Sequence, residues 1–359
     1  MQRRPWGAAV FMAGATGSAV GESGGAVRRA DALMPALALP SHLQRQLQAG
    51  AALAARGYRG RFAPSPTGPL HRGNLRTALL AWLLARRAGG ELLLRIDDLD
   101  TPRNRPGAEA SILADLRWLQ LDWDGPPLRQ SERRGLYGSV LSALRRQGWL
   151  YPCRCSRRLL ADVSAPHGRA SVYPGFCRGL PAHWGPEQGR LPSWRWRLPP
   201  GPIRWQEQLA APGLLDGASA VGDVVLRRAD GFLAYHLATA VDELLCGITD
   251  VVRGLDLWEA TGPQVALITL LGGRPPSYSH VPLWRDRQGQ RLSKRQGSEG
   301  LEALRQSGLD AAGVVGLLAT SADLVPAGSR LSAAELLQEW RGRDLLAHLR
   351  QQAGLVAEA

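Results

Sequence analysis

The sequence of 359 residues is poor in cysteine, almost free of lysine and without long apolar runs. Four cysteines in a chain of this length do not form the disulfide framework of a small secreted protein. No apolar run is long enough to cross a bilayer as a helix, so a transmembrane segment is not predicted. Apolar residues make up 45% and charged residues 21%, which is ordinary for a soluble globular protein with a sizeable core.

Arginine supplies almost all of the positive charge. Lysine and arginine together number 44 against 31 acidic residues, which gives a formal net charge of +13. Such an excess favours a polyanionic partner, either a nucleic acid or an anionic membrane. A GC-rich genome would produce the same bias toward arginine, alanine, glycine and leucine without any binding role, so the charge alone does not decide.

The first 57 residues are rich in alanine, glycine and arginine and poor in acids. They resemble a transit peptide in part. They also fit a translation start assigned too early, with Met34 as one candidate for the true start. We favour the second interpretation, because the glycine-rich stretch from Gly14 to Gly25 makes a poor amphipathic helix. We therefore expect residues 1–57 to be a disordered or mis-assigned extension outside the fold.

Residues 58–96 carry the pattern of a strand, a loop, a helix and a second strand. Residues 61–68 predict a short strand that runs into a Pro/Gly loop. Leucines and a tryptophan at helical spacing follow, and Gly89-Gly90 ends the helix. Residues 91–96 are a nearly continuous apolar run, typical of a strand buried on both faces of a parallel sheet. The sequence therefore predicts a doubly wound, Rossmann-type α/β catalytic domain whose first half is residues 58–150.

The rest of the chain divides by composition. Residues 151–212 are rich in proline, glycine, tryptophan and cysteine, which predicts an inserted subdomain with little regular structure of its own. Regular patterns return in residues 213–298, the predicted second half of the catalytic domain. Residues 299–359 have helical patterns and no strand signal, which predicts a short helical tail.

Two loops carry residues suited to phosphate chemistry. His71, Arg72 and Gly73 stand directly before the helix, and a helix N-terminus directs unpaired N–H groups at an anion. A basic loop at residues 291–298 contains Lys294, which could close over a triphosphate and neutralise developing charge. Taken alone, the first loop also fits a polar turn capped by Asn74, and the second fits a solvated basic turn.

Together and in this order, these segments resemble a known family. The segment RFAPSPTGPLHRGNLRTALLAWLLARRAGGELLLRIDDLD resembles the opening of bacterial glutamyl-tRNA synthetases, which are class I aminoacyl-tRNA synthetases. His71–Asn74 resembles the HIGH signature of that class, and Arg291–Arg295 resembles the KMSKS signature with arginine for the first lysine. The segment GFLAYHLATAVDELLCGITDVVRGLDL resembles the second half of the same active site. The resemblance covers residues 58–298.

The resemblance implies roles for individual residues. It implies ATP binding, with Mg²⁺, by His71, Gly73, Asn74 and Lys294, and catalysis by His71, Asn74 and Lys294. It implies a glutamate pocket formed by Arg61, Ala63, Ser65, Asp97, Tyr235 and Arg253. Asp97 stands where the family usually has glutamate and would hold the α-amino group, either after a backbone shift or through a water, since its side chain is one methylene shorter. Arg253 would pair bidentately with the side-chain carboxylate of the substrate.

The cysteines suggest a metal site. Cys153, Cys155 and Cys177 have a spacing suited to zinc, but a structural zinc needs a fourth ligand. His167 and His183 lie nearby in the sequence, whereas the resemblance implies Tyr173 as the fourth ligand of one structural zinc per chain. Three reduced thiols near a surface loop remain the alternative. Cys246 lies in an apolar run and is expected to be a core residue.

The tail is too short for an anticodon-binding domain of usual size. With the cysteine pattern, this directs the resemblance to the truncated paralogues, the glutamyl-queuosine tRNA(Asp) synthetases. That family activates L-glutamate with ATP without tRNA and transfers it to queuosine at the wobble position of tRNA(Asp). The implied partners are ATP, L-glutamate and queuosine-bearing tRNA(Asp), and we expect a cytoplasmic monomer without a membrane partner.

Two other functions stay open at this stage. One is an abbreviated glutamyl-tRNA synthetase that charges tRNA(Glu) at its acceptor end. The other is a non-catalytic RNA-binding paralogue, which the altered residues Asp97, Arg72 and Arg291 would fit. The residues expected to perform the chemistry are nevertheless all present, which favours an enzyme.

Overall fold

The computed structural model describes residues 37–156, 159, 172–284 and 300–353. The strands are β1 (Arg59–Phe62), β2 (Glu91–Ile96), β3 (Leu128–Arg129), β4 (Leu150–Cys153), β5 (Ser193–Trp196), β6 (Pro202–Trp205), β7 (Gly213–Asp216), β8 (Val225–Arg227), β9 (Asp250–Gly254) and β10 (Ser277–Val281). The helices are α1 (Ser41–Ala54), α2 (Arg72–Arg87), α3 (Ala108–Trp118), α4 (Arg134–Arg146), α5 (Tyr235–Leu245), α6 (Trp258–Leu270), α7 (Leu301–Gln306), α8 (Ala311–Thr320), α9 (Ala333–Glu339) and α10 (Leu345–Gln352).

Five strands form a parallel sheet in the order β10-β9-β1-β2-β3. The chain starts at β1, moves outward to β2 and β3, and later returns to the other side of β1 through β9 and β10. This is the strand order of a doubly wound sheet, and its switch point lies between β1 and β9. The predicted α/β fold with a doubly wound parallel sheet is confirmed.

Helix α2 connects β1 to β2, and the His71–Asn74 segment lies at its N-terminus. It packs on β1, β2 and β9 on one side and on α8 and α9 of the tail on the other. Leu75, Leu79 and Leu83 of this helix are 0% exposed. Burial of one leucine contributes roughly 1.5–3 kcal/mol, so this helix contributes substantially to the stability of the parallel sheet on which it packs.

A set of antiparallel strands follows the first half of the parallel sheet. β4, β5 and β8 form a three-stranded sheet, and β6 and β7 form a pair. These sheets extend from Leu150 to Arg227 and therefore pass the predicted end of the insert at residue 212. They pass residue 212 because β7, the partner of β6, and β8, a partner of β5, both lie after that residue.

The expectation that residues 1–57 lie outside the fold is wrong for α1. Leu43 of this helix is 1% exposed, and the helix packs against α5. A Cβ atom on Gly50 would lie 2.3 Å from the carbonyl oxygen of Leu244, so only glycine permits this approach. The glycine-rich composition that led to this expectation belongs to residues 1–36, which lie outside the described residues, and does not extend to the helix at Ser41–Ala54.

The tail consists of α7 to α10 within residues 300–353. A capping box between Ser332 and Glu335 begins α9. Among residues 37–156, 172–284 and 300–353, no helix is long and apolar enough to cross a membrane.

Candidate active site

The loop after β1 is fixed to the carboxyl end of β2. The backbone N–H of Asp97 donates to the carbonyl of Pro64 at 3.0 Å, and that of Arg105 donates to Pro66 at 2.9 Å. Ala63 is half-buried and Ser65 is exposed. Ala63 and Ser65, two of the six residues predicted for the glutamate pocket, therefore lie at the sheet edge where α/β folds bind ligands.

His71 and Asn74 cap the N-terminus of α2. The Nδ1 atom of His71 accepts the backbone N–H of Asn74 at 3.2 Å, and the side-chain oxygen of Asn74 accepts the backbone N–H of His71 at 3.4 Å. A Cβ atom on Gly73 would lie 3.0 Å from Cε1 of His71, so glycine lets the imidazole fold over the first turn. With Nδ1 accepting, a neutral ring carries its proton on Nε2 and presents a donor beside a helix N-terminus that has no acid in its first turn.

Arg61, Arg95, Asp97 and Glu243 form a buried cluster of charges. Oε1 of Glu243 lies 2.8 Å from Nε of Arg61 and 3.3 Å from Nη1 of Arg95. Burial alone would raise the pKa of Glu243, but the two guanidinium groups outweigh it and hold this pKa below its usual range. The cluster joins β1, β2 and α5 by direct ion pairs.

Asp97 uses both carboxylate oxygens to bind Arg95. Its Oδ1 lies 2.6 Å from Nε, and its Oδ2 lies 3.2 Å from Nη2. The two residues are two positions apart along one strand direction, so their side chains share a face. Burial is the dominant effect on Asp97 and raises its pKa despite Arg95. The carboxylate predicted to bind the substrate's amino group is thus occupied by an ion pair with Arg95, two residues before it.

Arg253 is a buried cation of a different kind. Its Nε contacts Nε2 of His280 at 3.1 Å, its Nη1 contacts Oε1 of Gln264 at 2.7 Å, and its Nη2 contacts Oγ1 of Thr261 at 2.6 Å. Only 4% of the residue is exposed, and its guanidinium carbon lies 4.9 Å from the ring centre of Tyr278. Within the described part of the chain no carboxylate forms an ion pair with Arg253, so its charge is not directly compensated.

Several buried polar atoms around this arginine have no hydrogen-bond partner among the described residues. They are Nδ1 of His236, Oε2 of Glu243, Nε2 of Gln264 and the hydroxyl of Tyr278. Native proteins leave few such atoms unpaired, so a group of them marks a place for a polar ligand or water. Burial, and then the charge of Arg253, lower the pKa of His236 to about 4, which keeps this ring neutral at physiological pH.

Tyr235 begins α5 at the surface beside this group. It is 36% exposed, and its ring centre lies 6.0 Å from that of His236. The described structure therefore brings Arg61, Asp97 and Arg253 to one edge of the sheet, and Tyr235 lies next to His236 beside them. The loop that contains Lys294 lies outside the described residues.

The cysteine cluster forms at the end of β4. The three Sγ atoms lie within 4.8 Å of one another, and those of Cys155 and Cys177 are 3.6 Å apart. The Tyr173 hydroxyl lies 3.5 Å from Sγ of Cys153 and 3.4 Å from that of Cys155. Zn–S bonds of 2.3 Å in a tetrahedron separate two sulfurs by about 3.8 Å, so these four donors fit one zinc ion.

Neither histidine near the cysteines in the sequence is seen as the fourth ligand among the described residues. His183 is 61% exposed in its side chain and lies 3.9 Å from Glu187, not in the cluster of thiols. His167 lies outside the described residues. Arg195 contributes a contact that the sequence did not reveal, since its Nε donates to Sγ of Cys153 at 3.2 Å. Cys246 packs beside the core, as predicted.

Residues 58–312 match the family of tRNA synthetases class I (E and Q), catalytic domain. A glutamyl-Q tRNA(Asp) synthetase of Prochlorococcus marinus (strain MIT 9303) is 58% identical over 306 residues, which cover 85% of this chain and 95% of the relative. The chain belongs to the glutamyl-Q tRNA(Asp) synthetases of this class I family. It is therefore a ligase of the aminoacyl-tRNA synthetase type, and the predicted resemblance is confirmed.

More distant proteins agree. The glutamyl-Q tRNA(Asp) synthetase of Nitratidesulfovibrio vulgaris is 46% identical over 282 residues, covering 75% of this chain and 87% of the relative. Among solved structures, a glutamate tRNA ligase of Elizabethkingia meningosepticum in complex with its amino acid superposes with a TM-score of 0.66 at 28% identity. The superposition covers 80% of this chain and 65% of that ligase, so the chain spans about two thirds of the ligase's length.

Sequence reasoning missed Arg95, Glu243, Glu207 and His280, although all four are buried at this edge of the fold. One signal was available for two of them. Arg95 interrupts the apolar run of β2, and Glu243 interrupts the apolar run of α5. A charged residue in such a run is almost never buried without a partner, so each of them indicates a polar site.

Proposed function

We propose that this ligase activates L-glutamate with ATP in the absence of tRNA and then transfers it to queuosine at the wobble position of tRNA(Asp). The observation that carries the amino-acid part is Arg253, a buried guanidinium with neutral direct partners at the switch-point edge. Such a cation favours an anionic ligand, and the glutamate side chain is a carboxylate. Relatives up to 58% identical are named glutamyl-Q tRNA(Asp) synthetases, and this supports the tRNA part.

The glutamate substrate would lie across the sheet edge. Its side-chain carboxylate would bind Arg253, and its ammonium group would face the acidic side. Asp97 lies there with Oε2 of Glu243, which has no hydrogen-bond partner in the part of the chain that the structure describes. Arg61, Ala63 and Ser65 would line the pocket from β1, and Tyr235 would cover it. A bidentate contact with Arg253 requires one of its present hydrogen bonds to yield. Nη1 binds Gln264 and has one further N–H, whereas Nη2 already binds Thr261 and the Leu257 carbonyl and Nε binds His280.

ATP would bind at the N-terminus of α2. His71, Gly73 and Asn74 would bring N–H donors to the phosphates there, and Lys294 would close over them from its loop. Mg²⁺ bound with ATP would neutralise part of the triphosphate charge.

Two displacements complete the proposed reaction. The glutamate α-carboxylate attacks the α-phosphate of ATP, which forms glutamyl-adenylate as the bond to pyrophosphate breaks. A hydroxyl of the queuosine ring then attacks the acyl carbon, and AMP leaves as the new ester forms. The adenylate is already activated, so no protein nucleophile is required.

The test is glutamate-dependent ATP–pyrophosphate exchange without tRNA, followed by transfer of labelled glutamate to tRNA(Asp) with and without queuosine. We expect exchange, and transfer only to the queuosine-bearing tRNA. Exchange that requires tRNA(Glu) would instead indicate an abbreviated glutamyl-tRNA synthetase. The absence of exchange under all conditions would indicate a non-catalytic RNA-binding paralogue.

Cys153, Cys155, Tyr173 and Cys177 are proposed to hold one structural zinc ion. Zinc would fix the segment between β4 and β5, and it would favour the deprotonated form of Tyr173. Metal analysis of the purified protein should give one zinc per chain, and Tyr173→Phe should lower zinc retention in a chelator titration. Retention equal to that of the unaltered protein would exclude the tyrosine as a ligand. A cytoplasmic, monomeric enzyme is part of the same proposal.

A further inference from the structure

Glu207 and His280 form a buried pair behind Arg253. His280 lies on β10 directly opposite Arg253 of β9 in the strand register. Glu207 follows β6, and its backbone bridges to Tyr278 on the other side of β10. Glu207 is 5% exposed and His280 is 1% exposed, so solvent does not compete for their contacts.

The carboxylate of Glu207 binds His280 at two points. Its Oε2 lies 2.7 Å from Nδ1 of the ring, and its Oε1 accepts the backbone N–H of His280 at 3.1 Å. An ionised carboxylate can only accept, so Nδ1 carries the proton. Stacking against the Tyr278 ring, at an interplanar angle of 9°, and the edge of Trp258 hold the imidazole in place.

The other ring nitrogen of His280 faces Arg253. The Nε of arginine can only donate, so Nε2 of His280 must accept this bond, which spans 3.1 Å. Oγ1 of Thr261 lies 3.0 Å from the same nitrogen and 2.6 Å from Nη2 of Arg253. The imidazole is therefore neutral, and burial, its largest influence, lowers the pKa of His280 in agreement with this geometry.

This arrangement separates a negative charge from a positive one by a neutral ring. Glu207 fixes the ring, and the ring fixes the guanidinium, but the carboxylate does not contact Arg253. A carboxylate in direct contact would occupy the same N–H groups that an anionic ligand needs and would neutralise the charge that attracts it. The imidazole orients Arg253 and leaves its charge available.

We infer that His280, held in one tautomer by Glu207, is a positioning residue that orients Arg253 toward the side-chain carboxylate of the substrate and thereby favours glutamate over glutamine. The inference rests on the proposed function, because it assumes that Arg253 binds glutamate. Its test is chosen so that the two can fail separately.

Two substitutions of His280 separate its contacts. His280→Asn keeps an amide near the position of Nδ1, where it can still bind Glu207, but removes the acceptor for Arg253. His280→Gln reaches one bond further and can place an amide oxygen near the position of Nε2. Pyrophosphate exchange would be measured over a range of glutamate, glutamine and ATP concentrations, with thermal unfolding of each variant and calorimetric titration of L-glutamate alone.

We expect His280→Asn to raise the KM for glutamate roughly tenfold to a hundredfold. The KM for ATP should stay within about twofold, because the ATP site does not use this network. The preference for glutamate over glutamine should fall, and His280→Gln should recover most of the loss. Calorimetry should give the same ranking of glutamate affinities without any reaction.

Glu207→Gln is an independent variant that keeps the imidazole. Its amide oxygen would still accept the backbone N–H of His280, so its amide hydrogens would face Nδ1 and move the ring proton to Nε2. That proton would oppose the N–H of Arg253, and the KM for glutamate should rise as in His280→Asn. The two effects should not add in the double variant, because both act through one contact.

The outcomes separate the hypotheses. A wild-type enzyme without glutamate-dependent exchange would overturn the proposed function. An active wild type with an unchanged KM for glutamate in His280→Asn would overturn only this inference, as would equal losses in His280→Asn and His280→Gln. If His280→Asn does not fold, Glu207→Gln decides, and a wild-type KM in that variant would overturn the inference.

Discussion

Two arginine sites lie side by side at the carboxyl edge of the parallel sheet, and they treat their charge in opposite ways. Arg61 and Arg95 contact carboxylates directly, at 2.8 Å to Glu243 and 2.6 Å to Asp97. Arg253 contacts an imidazole, an amide and a hydroxyl, and the carboxylate that binds this imidazole, Glu207, lies on the far side of the ring. All three arginines are at most 4% exposed, so burial does not distinguish them.

The difference indicates that the paired arginines have a structural role and that Arg253 has a ligand-binding role. A buried cation paired with a buried anion is neutralised within the protein and contributes to the architecture of the site. A buried cation with neutral partners keeps its electrostatic attraction for a ligand. We therefore expect substitutions in the paired cluster to change stability first, and substitutions around Arg253 to change glutamate recognition first.

Glu243→Gln is expected to have the largest effect, and the effect should be on stability. The substitution removes the anion shared by Arg61 and Arg95, and an uncompensated buried charge costs about 3–5 kcal/mol. Urea unfolding followed by circular dichroism would measure the loss. Glu302→Gln, an exposed carboxylate on α7, is the matched control and should unfold like the wild type. Equal midpoints for Glu243→Gln and the wild type would show that direct pairing contributes nothing here.

Arg253→Gln should reverse this pattern. The glutamine side chain can still bond to neutral partners, so the free energy of unfolding should change less than in Glu243→Gln. Loss of the charge should reduce kcat/KM for glutamate by roughly a hundredfold to a thousandfold, since removing one partner of a buried charged contact costs about 2–5 kcal/mol.

Pyrophosphate exchange at increasing glutamate concentrations would measure the loss in Arg253→Gln. The exposed Arg330, which pairs with Asp310 at 2.7 Å on the tail, supplies the control Arg330→Gln. A large loss of stability with an unchanged glutamate KM in Arg253→Gln would erase the distinction between the two sites.

Much of this edge of the fold could be predicted from the sequence. The apolar spacing of α2, the apolar run of β2 and the glycine before the helix each report a local constraint, because helix and strand periodicity and backbone space are properties of neighbouring residues. The capping role of Asn74, which the first loop also fitted, has a reciprocal partner in His71. The hydroxyl of Tyr173, which the resemblance implies as the fourth zinc ligand, lies 3.4 Å from Sγ of Cys155.

The charge networks could not be predicted in the same way. Arg61 and Glu243 are 182 positions apart, and Glu207 and His280 are 73 apart, so only the crossover topology brings each pair together. The resemblance implies different roles for Arg253 and Arg61, but local patterns do not show which of them has a carboxylate partner, because both stand in short strands. Which of them is neutralised depends on the residues that α5 and α6 present, and this is a tertiary property.

The pH dependence of stability gives a finer test of the paired cluster. The pKa of Glu243 is lowered from 4.5 in the folded state, so its contribution is fully present above pH 4.5 and is lost as pH falls through the lowered value. The difference in urea midpoint between the wild type and Glu243→Gln should therefore be constant near neutrality and shrink below pH 4.5. A difference that stays constant into acid would mean that Glu243 is not stabilised as an anion.

Asp97→Glu should have the smallest effect and tests the border between the two sites. Asp97 now binds Arg95 with both oxygens, at 2.6 and 3.2 Å. The longer side chain, which the resemblance gives as the usual residue here, could keep one of these contacts and extend the other oxygen toward the substrate's ammonium group. One added charged hydrogen bond is worth about 1.5–3 kcal/mol, and the contact with Arg95 that is given up offsets part of it, so the KM for glutamate should fall roughly fivefold.

The KM for ATP is the internal control for Asp97→Glu, since the substitution leaves the N-terminus of α2 unchanged. An unchanged KM for glutamate would place the ammonium group elsewhere, with the unpaired Oε2 of Glu243 as the remaining buried acceptor in this cluster among the described residues. A fall in KM would instead mean that the short side chain of Asp97 confines this carboxylate to the structural cluster. In that case one methylene group decides whether the acidic residue at the end of β2 binds only Arg95 or also the ammonium group of the substrate.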